Sequence, residues 1–172
     1  MIEELEQRIV TLAVSSEVSG MYIAEALARI EDSGEWRQRT ARRTGKPHTS
    51  FKSYIRDLAR TIWEVHGVRA SEGNYERLLS HYRLFVETMG FTVRDTLEVG
   101  TSNLDLLRTM YDWDFRERAL GPGTETKMGA EEAKEHFSEV VRQTREHGTI
   151  PYEVLKAELD QRLGRAPIQP KL

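Results

Sequence analysis

Eight cationic side chains lie close together in the first third of the chain, and they are the residues best suited to binding chemistry. Between positions 36 and 60 the only acid is Asp57, and the cations are Arg37, Arg39, Arg42, Arg43, Lys46, Lys52, Arg56 and Arg60. This stretch therefore has a charge of +7, whereas the whole chain has a charge of −3 and the remainder sums to −10. A basic stripe on an otherwise acidic protein is typical of a local phosphate-binding surface. We predict that these eight side chains contact nucleic-acid phosphates.

A second group of polar side chains follows shortly afterwards and suits the recognition of bases. Asparagine pairs bidentately with adenine and arginine with guanine, and each such pair contributes roughly 1 to 3 kcal/mol of discrimination. The predicted base contacts are Arg69, Ser71, Asn74 and Arg77.

Motifs for metal binding and catalysis are absent from the sequence. None of His66, His81, His136 and His147 has a glutamate three positions earlier, as the Glu-x-x-His motif of di-iron bundles requires. The run GPGTETK around Gly121 lacks the order of a phosphate loop, and no Gly-x-Ser-x-Gly elbow occurs. We predict a non-enzymatic protein without cofactor or metal. A helical enzyme with a site built from scattered Glu and His residues remains an alternative.

Composition limits the protein to a few classes. A chain of 172 residues with 38% hydrophobic content suits one domain, or one domain with an appendage. The absence of cysteine excludes disulfides and thiolate metal sites. The acidic first residues do not form a secretory signal, and no apolar run reaches the roughly 20 residues of a membrane span. The sequence therefore predicts a soluble, cytoplasmic protein that is nucleoid-associated when bound to DNA.

The spacing of apolar residues is helical along nearly the whole chain, which predicts an all-α fold. The first stripe consists of Ile2, Leu5, Ile9, Leu12, Ile23, Leu27 and Ile30 and favours one long helix, with or without a kink, that ends near Asp32 and Gly34. The small residues Ser15, Ser16, Ser19 and Gly20 either break this helix or allow another helix to approach closely. Residues 37–49 lose the stripe and are predicted to form a basic loop. A second helix begins at Thr49 or Ser50, has a core face that extends to Val65, and stops at Gly67.

A third helix begins at Ser71 and continues to Met89, so that residues 50–89 have the dimensions of a helix-turn-helix. A short helix capped by Thr92 and another that extends to Phe115 complete a predicted compact multi-helix core, residues 1–118. The Gly- and Pro-containing residues 119–128 are predicted to form a linker. Residues 129–164 are predicted to form a C-terminal helical pair, and residues 165–172 a disordered tail.

Four sequence segments together resemble a known group of proteins. In order they are YIAEALARIEDSGEWRQ, SFKSYIRDL, GVRASEGNYERLLSHYRLFV and TLEVGTSNLDLLRTM, and they cover roughly Met21 to Met110. This order is similar to that of helix-turn-helix DNA-binding proteins of phages, plasmids and mobile elements, and distantly to the DNA-binding part of ParB-type partition proteins. The resemblance implies a DNA-binding protein, commonly dimeric, that acts in transcription, partition or replication.

The predicted partners are double-stranded DNA and a second copy of the chain, because one helix-turn-helix contacts few base pairs. The alternative is a protein-interaction module, such as a phage factor that binds and redirects a host protein like RNA polymerase. The basic stripe would then contact an acidic protein surface.

Overall fold

The computed structural model describes residues 1–14, 20–69, 71–111, 127–162 and 164. In these ranges the protein forms eight α-helices and no β-strand, which confirms the all-α fold class. The chain divides into two compact units, Met1–Arg83 and Leu84–Leu172. None of the helices in the described ranges is long and apolar enough to span a bilayer.

The first unit begins with two helices, α1 (Ile2–Val14) and α2 (Gly20–Ser33), that pack against each other. The backbone N–H of Ile2 donates to Oε2 of Glu35 at 3.2 Å, so the start of α1 lies beside the end of α2 and the helices are antiparallel. The prediction of one long helix is therefore wrong. Each half has its own apolar stripe, and packing the two stripes together buries residues such as Ile9, which one extended helix would leave in water.

A 3₁₀ turn, Glu35–Gln38, follows α2 and leads into the basic loop. Trp36 in this turn is buried, and its ring lies 5.6 Å from the ring of Phe51, the first residue of helix α3 (Phe51–His66). This contact holds the two ends of the loop region close to each other.

Helix α3 has the predicted beginning and end. The side chain of Ser50 accepts a hydrogen bond from the backbone N–H of Ser53 at 3.0 Å, and Gly67 ends the helix with a φ of 68°, a conformation that glycine adopts at little cost. Val65 was predicted to lie on the core face, which is wrong because the residue is 61% exposed. The neighbours of Val65 in the last turn of α3 are also exposed, so no described element covers this end of the helix.

Helix α4 (Glu72–His81) completes the predicted helix-turn-helix pair and packs on both α2 and α3. Ser71 caps it by accepting from the backbone N–H of Asn74 at 3.1 Å. The chain continues from α4 into a π-helical segment, Tyr82–Thr88, and the division between the two units falls within this segment. Gly90 follows with a φ of 83°, which confirms its predicted left-handed conformation.

The second unit contains four helices, α5 (Val93–Val99), α6 (Thr101–Met110), α7 (Ala130–His147) and α8 (Tyr152–Arg162). Helix α5 packs on α7 and helix α6 packs on α8. Thr92 caps α5 in a reciprocal capping box, as its position in the sequence predicts.

The grouping of these helices differs from the predicted domain organisation. The sequence analysis placed α5 and α6 in a core of residues 1–118 and treated residues 129–164 as a separate pair, but the four helices share one compact unit. Most of the predicted linker, residues 119–128, lies outside the described residues, as does the whole predicted tail, residues 165–172.

Three phenylalanines pack against one another in the second unit. The ring of Phe137 lies 4.7 Å from that of Phe85 and 4.6 Å from that of Phe91. Phe85 and Phe137 are completely buried. These tilted and edge-to-face contacts are geometries that aromatic rings prefer, so the cluster joins the π-helical segment to α7.

Tyr111 ends α6 in an extended conformation, so the predicted continuation of this helix through Tyr111 is wrong, and Phe115 lies outside the described residues. A hydrogen bond of 2.7 Å joins the Tyr111 hydroxyl to Nδ1 of His136, and Nε2 of His136 lies 2.5 Å from Oε1 of Glu158. His136 therefore links α6 to α8. The end of α6 also forms an isolated bridge between Tyr111 and Met128.

Candidate nucleic-acid interface

The basic loop, residues 39–48, is a hairpin-like turn that precedes α3. The backbone N–H of Ala41 donates to the carbonyl of Lys46 at 2.8 Å, and the N–H of His48 donates to the carbonyl of Arg39 at 3.1 Å. These bonds join the two sides of the loop. Its tip, which contains three of the predicted phosphate contacts, therefore has a defined backbone conformation.

His48 attaches the basic loop to α3. Its side chain is only 1% exposed, Nδ1 is hydrogen-bonded to the hydroxyl of Ser53 at 3.0 Å, and Nε2 lies 3.7 Å from Oδ2 of Asp57. The backbone N–H of Arg42 donates to the same Asp57 oxygen at 3.4 Å. Asp57 therefore helps to hold the loop in position. The sequence analysis did not identify His48, because a single histidine in a loop gives no periodic signal.

Replacing His48 with alanine is expected to destabilise the protein by about 2 kcal/mol or more, because it removes a buried ring and its hydrogen bond to Ser53. We also expect trypsin to cleave faster after Arg42 and Arg43, since the loop loses its attachment. Urea unfolding and timed proteolysis measure the two effects. Thr49→Ala, a change at an exposed neighbouring position, is the matched control. Equal cleavage rates in both variants would contradict the assigned role of His48.

Arg39 is engaged by the acidic face of α1. Its Nη2 atom lies 2.9 Å from Oε1 of Glu3 and 3.0 Å from Oε2 of Glu6. Glu6 also accepts a hydrogen bond from the hydroxyl of Tyr54 at 2.8 Å. Partial burial lowers the pKa of Arg39, but the two carboxylates outweigh this effect and the pKa is raised. Arg39 therefore connects the loop to α1.

Two further cations form ion pairs between α3 and α4. Arg56 donates through Nε and Nη2 to the carboxylate of Glu72 at 2.6 and 3.3 Å. Lys52 lies 3.9 Å from Glu72 and 3.8 Å from Glu76. The hydrogen bond from Arg56 lowers the pKa of Glu72 below its ordinary value. The four side chains together have no net charge.

Arg42 forms the remaining ion pair of the stripe, at 3.5 Å from Glu64, and also donates to the hydroxyl of Thr61 at 3.2 Å. The sequence analysis treated Asp57 as the only acid available to the stripe, and this is wrong. Glutamates of α1, α4 and the last turn of α3 supply the partners, and linear charge counting over residues 36–60 does not include them.

Four of the eight predicted phosphate contacts have no carboxylate within 4.0 Å among the described residues, namely Arg37, Arg43, Lys46 and Arg60. The guanidinium of Arg37 lies over the ring of Trp36, 4.7 Å from its centroid. The other three are exposed, and we call them the unpaired cations. Arg43 and Arg60 line the same cleft, which has a volume of about 300 Å³. The loop and α3 thus bring two of the unpaired cations together.

The four predicted base contacts lie around the beginning of α4. The hydroxyl of Ser71 caps the helix, and Nη2 of Arg77 donates to Oδ1 of Asn74 at 2.9 Å. Arg69 lies over the ring of Trp63, 5.7 Å from its centroid. Arg69, Ser71 and Asn74 line a single cleft of about 530 Å³, and Trp63 forms part of its wall.

Trp63 is the residue of this surface that the sequence analysis missed. It is 47% exposed, although a tryptophan this large usually buries most of its ring. Its position gave a signal, because it follows Arg60 by three residues and so lies on the same helix face as Lys52, Arg56 and Arg60. An aromatic residue on a cationic helix face belongs to the same exposed surface.

Within the described part of the chain, no three His, Asp or Glu side chains lie together in a way that could hold a metal ion. No protein-family model, curated protein or solved structure matches this chain.

Proposed function

We propose that this protein binds double-stranded DNA through the surface formed by the basic loop, α3 and the beginning of α4. The observation that supports this most strongly is the group of unpaired cations, Arg43, Lys46 and Arg60, on a chain whose overall charge is −3. Exposed cations that are not neutralised by their own protein are available to phosphates. The resemblance of the sequence to helix-turn-helix proteins favours a role in transcription, partition or replication.

The ion pairs of α3 support the same proposal in a less direct way. Glu72 stands in the first turn of α4, where an uncompensated carboxylate would repel a phosphate backbone. Arg56 neutralises it through two hydrogen bonds, so the beginning of α4 can approach DNA without net repulsion. Asn74 and Arg77 lie on the exposed side of that helix, where helix-turn-helix proteins contact base edges.

Binding to a mixed-sequence duplex of about 25 base pairs tests the proposal. If the three unpaired cations neutralise one phosphate each, the logarithm of the affinity should fall with the logarithm of the salt concentration at a slope near −2.7, about 0.9 per contact. Fluorescence anisotropy at several salt concentrations measures this slope. The absence of binding at low salt by folded protein would contradict the proposal and favour a protein-interaction module.

We further propose that two copies of the chain bind together, because a single helix-turn-helix contacts few base pairs. The second unit exposes two apolar side chains of α8, Tyr152 and Val154, that suit a contact between copies. The stoichiometry of the complex in the same titration tests this part of the proposal, and a ratio of one chain per duplex would contradict it.

A further inference from the structure

We propose that the cleft formed by Trp63, Arg69, Ser71 and Asn74 binds a single nucleobase that has left the base stack. This inference rests on the proposed binding of DNA and adds to it a site for an unpaired base. The wall of the cleft is an exposed indole, and its rim contains an amide, a hydroxyl and a guanidinium. Aromatic stacking together with a few placed polar groups is the usual composition of a nucleobase site.

The exposed indole is the first argument. Trp63 is 47% exposed and lies on the helix face whose earlier turns contain Lys52, Arg56 and Arg60. A nucleic-acid strand whose phosphates contact Arg60 would have its bases within reach of the next helical turn. Exposed aromatic rings beside a basic groove are the stacking platforms of proteins that bind unpaired strands.

The polar groups at the rim provide the second argument. Oδ1 of Asn74 accepts from Arg77, so the amide NH₂ group of Asn74 is oriented as a donor away from this contact. The hydroxyl oxygen of Ser71 accepts from the backbone N–H of Asn74, which leaves its own hydrogen available for donation. Arg69 adds further donors. The rim therefore offers mainly donors, which complement the ring-nitrogen and carbonyl acceptors of a base.

The faces of the bases in a continuous duplex are covered by their neighbours, so an indole cannot stack on them. Only a base that is extrahelical or in a single strand exposes its face to Trp63. The cleft has a volume of about 530 Å³, which lies in the range of small-ligand sites. The guanidinium of Arg69 covers one face of the Trp63 ring. Because Arg69 is exposed, its side chain can move aside when a base binds. We therefore assign the stacking face of this cleft to one unpaired base.

Three duplexes that differ at one position test this assignment. The first is fully paired, the second has one extrahelical adenine, and the third has an abasic nucleotide in place of that adenine. We expect the protein to bind the adenine bulge at least about 5-fold more tightly than the abasic bulge, which is the lower end of the effect of one stacked base. The comparison isolates the base because both bulges interrupt the duplex in the same way.

The variant Trp63→Leu should lose this preference, so that its affinities for the adenine bulge and the abasic bulge become equal within about 2-fold. Trp63→Phe, which retains an aromatic ring, should retain part of the preference. Val65→Ala, which removes a different exposed apolar side chain of the same helical turn, should retain all of it. Circular dichroism of each variant checks that the helices are intact.

The possible outcomes distinguish this inference from the proposed function. Equal affinity for the adenine and abasic bulges overturns the nucleobase site and leaves duplex binding in place. A preference for adenine that survives in Trp63→Leu overturns the role of this cleft. The absence of binding to all three duplexes overturns both proposals.

Discussion

Replacing Arg43, Lys46 and Arg60 together with glutamine is expected to lower the affinity for duplex DNA by two to three orders of magnitude at about 0.1 M salt. Each phosphate contact contributes about 0.9 to the salt slope, so the loss of three contacts removes about 2.7 from it. The electrostatic contribution to the affinity becomes small near about 1 M salt, which is one decade above 0.1 M. A salt slope that is smaller by about 2.7 therefore lowers the affinity at 0.1 M by about 2.7 orders of magnitude. Anisotropy titrations at several salt concentrations measure affinity and slope in the same experiment.

A control with the same change of charge separates local contacts from the overall charge of the protein. The variant Arg29→Gln, Arg94→Gln, Lys134→Gln also loses three positive charges, but its substitutions lie on α2, α5 and α7. It should weaken binding much less. The neutral double variant Arg56→Gln, Glu72→Gln should have a small effect, because it removes an ion pair without changing the charge. If the control triple variant weakened binding as much as the first, the unpaired cations would not form the interface.

Replacing Phe137 with alanine is expected to lower the free energy of unfolding of the second unit by about 3 to 5 kcal/mol. The side chain is completely buried between Phe85 and Phe91, so its removal costs the transfer energy of the ring and leaves a cavity that the neighbouring rings cannot fill. Urea unfolding followed by far-ultraviolet circular dichroism measures the change.

Glu153→Ala is the control for this substitution. Glu153 also belongs to the second unit, but it is exposed, so its removal should cost less than about 1 kcal/mol. A loss below about 1 kcal/mol for Phe137→Ala would show that the phenylalanine cluster does not hold this unit together.

The sequence predicted most helix boundaries because their signals are local. A hydroxyl side chain before an apolar stripe satisfies free N–H groups within three residues, as Ser50, Ser71 and Thr92 do. A glycine that adopts a positive φ ends a helix through its own conformation, as Gly67 and Gly90 do. Neither signal depends on the rest of the fold.

The sequence did not predict how the helices pack, because this depends on residues far apart in the chain. The apolar residues of α1 and α2 have the same spacing in one continuous helix as in two helices that pack antiparallel to each other. Long-range contacts distinguish the arrangements, such as the hydrogen bond from Ile2 to Glu35 and the ion pair between Arg8 and Glu25. The same limitation applied to charge, since the partners of Arg39 and Arg56 come from α1 and α4.

The sequence predicted only part of the candidate interface, because the rest depends on contacts between residues far apart in the chain. Residue types and helical spacing identified the cations and the polar start of α4, and these remain predictions of contact with DNA. The division of the cations into paired and unpaired groups needed the tertiary structure. The cleft at Trp63 also needed it, because only the folded chain brings the end of α3 beside Arg69 and Asn74.

The bridge between Tyr111 and Met128 has a consequence for hydrogen exchange in the second unit. The backbone N–H of Met128 donates to the carbonyl of Met110 at 3.1 Å, and Met128 is only 3% exposed. A buried, hydrogen-bonded amide exchanges its hydrogen with solvent only when the structure around it opens. The exchange rate of the Met128 amide should therefore report how often the end of α6 separates from this residue.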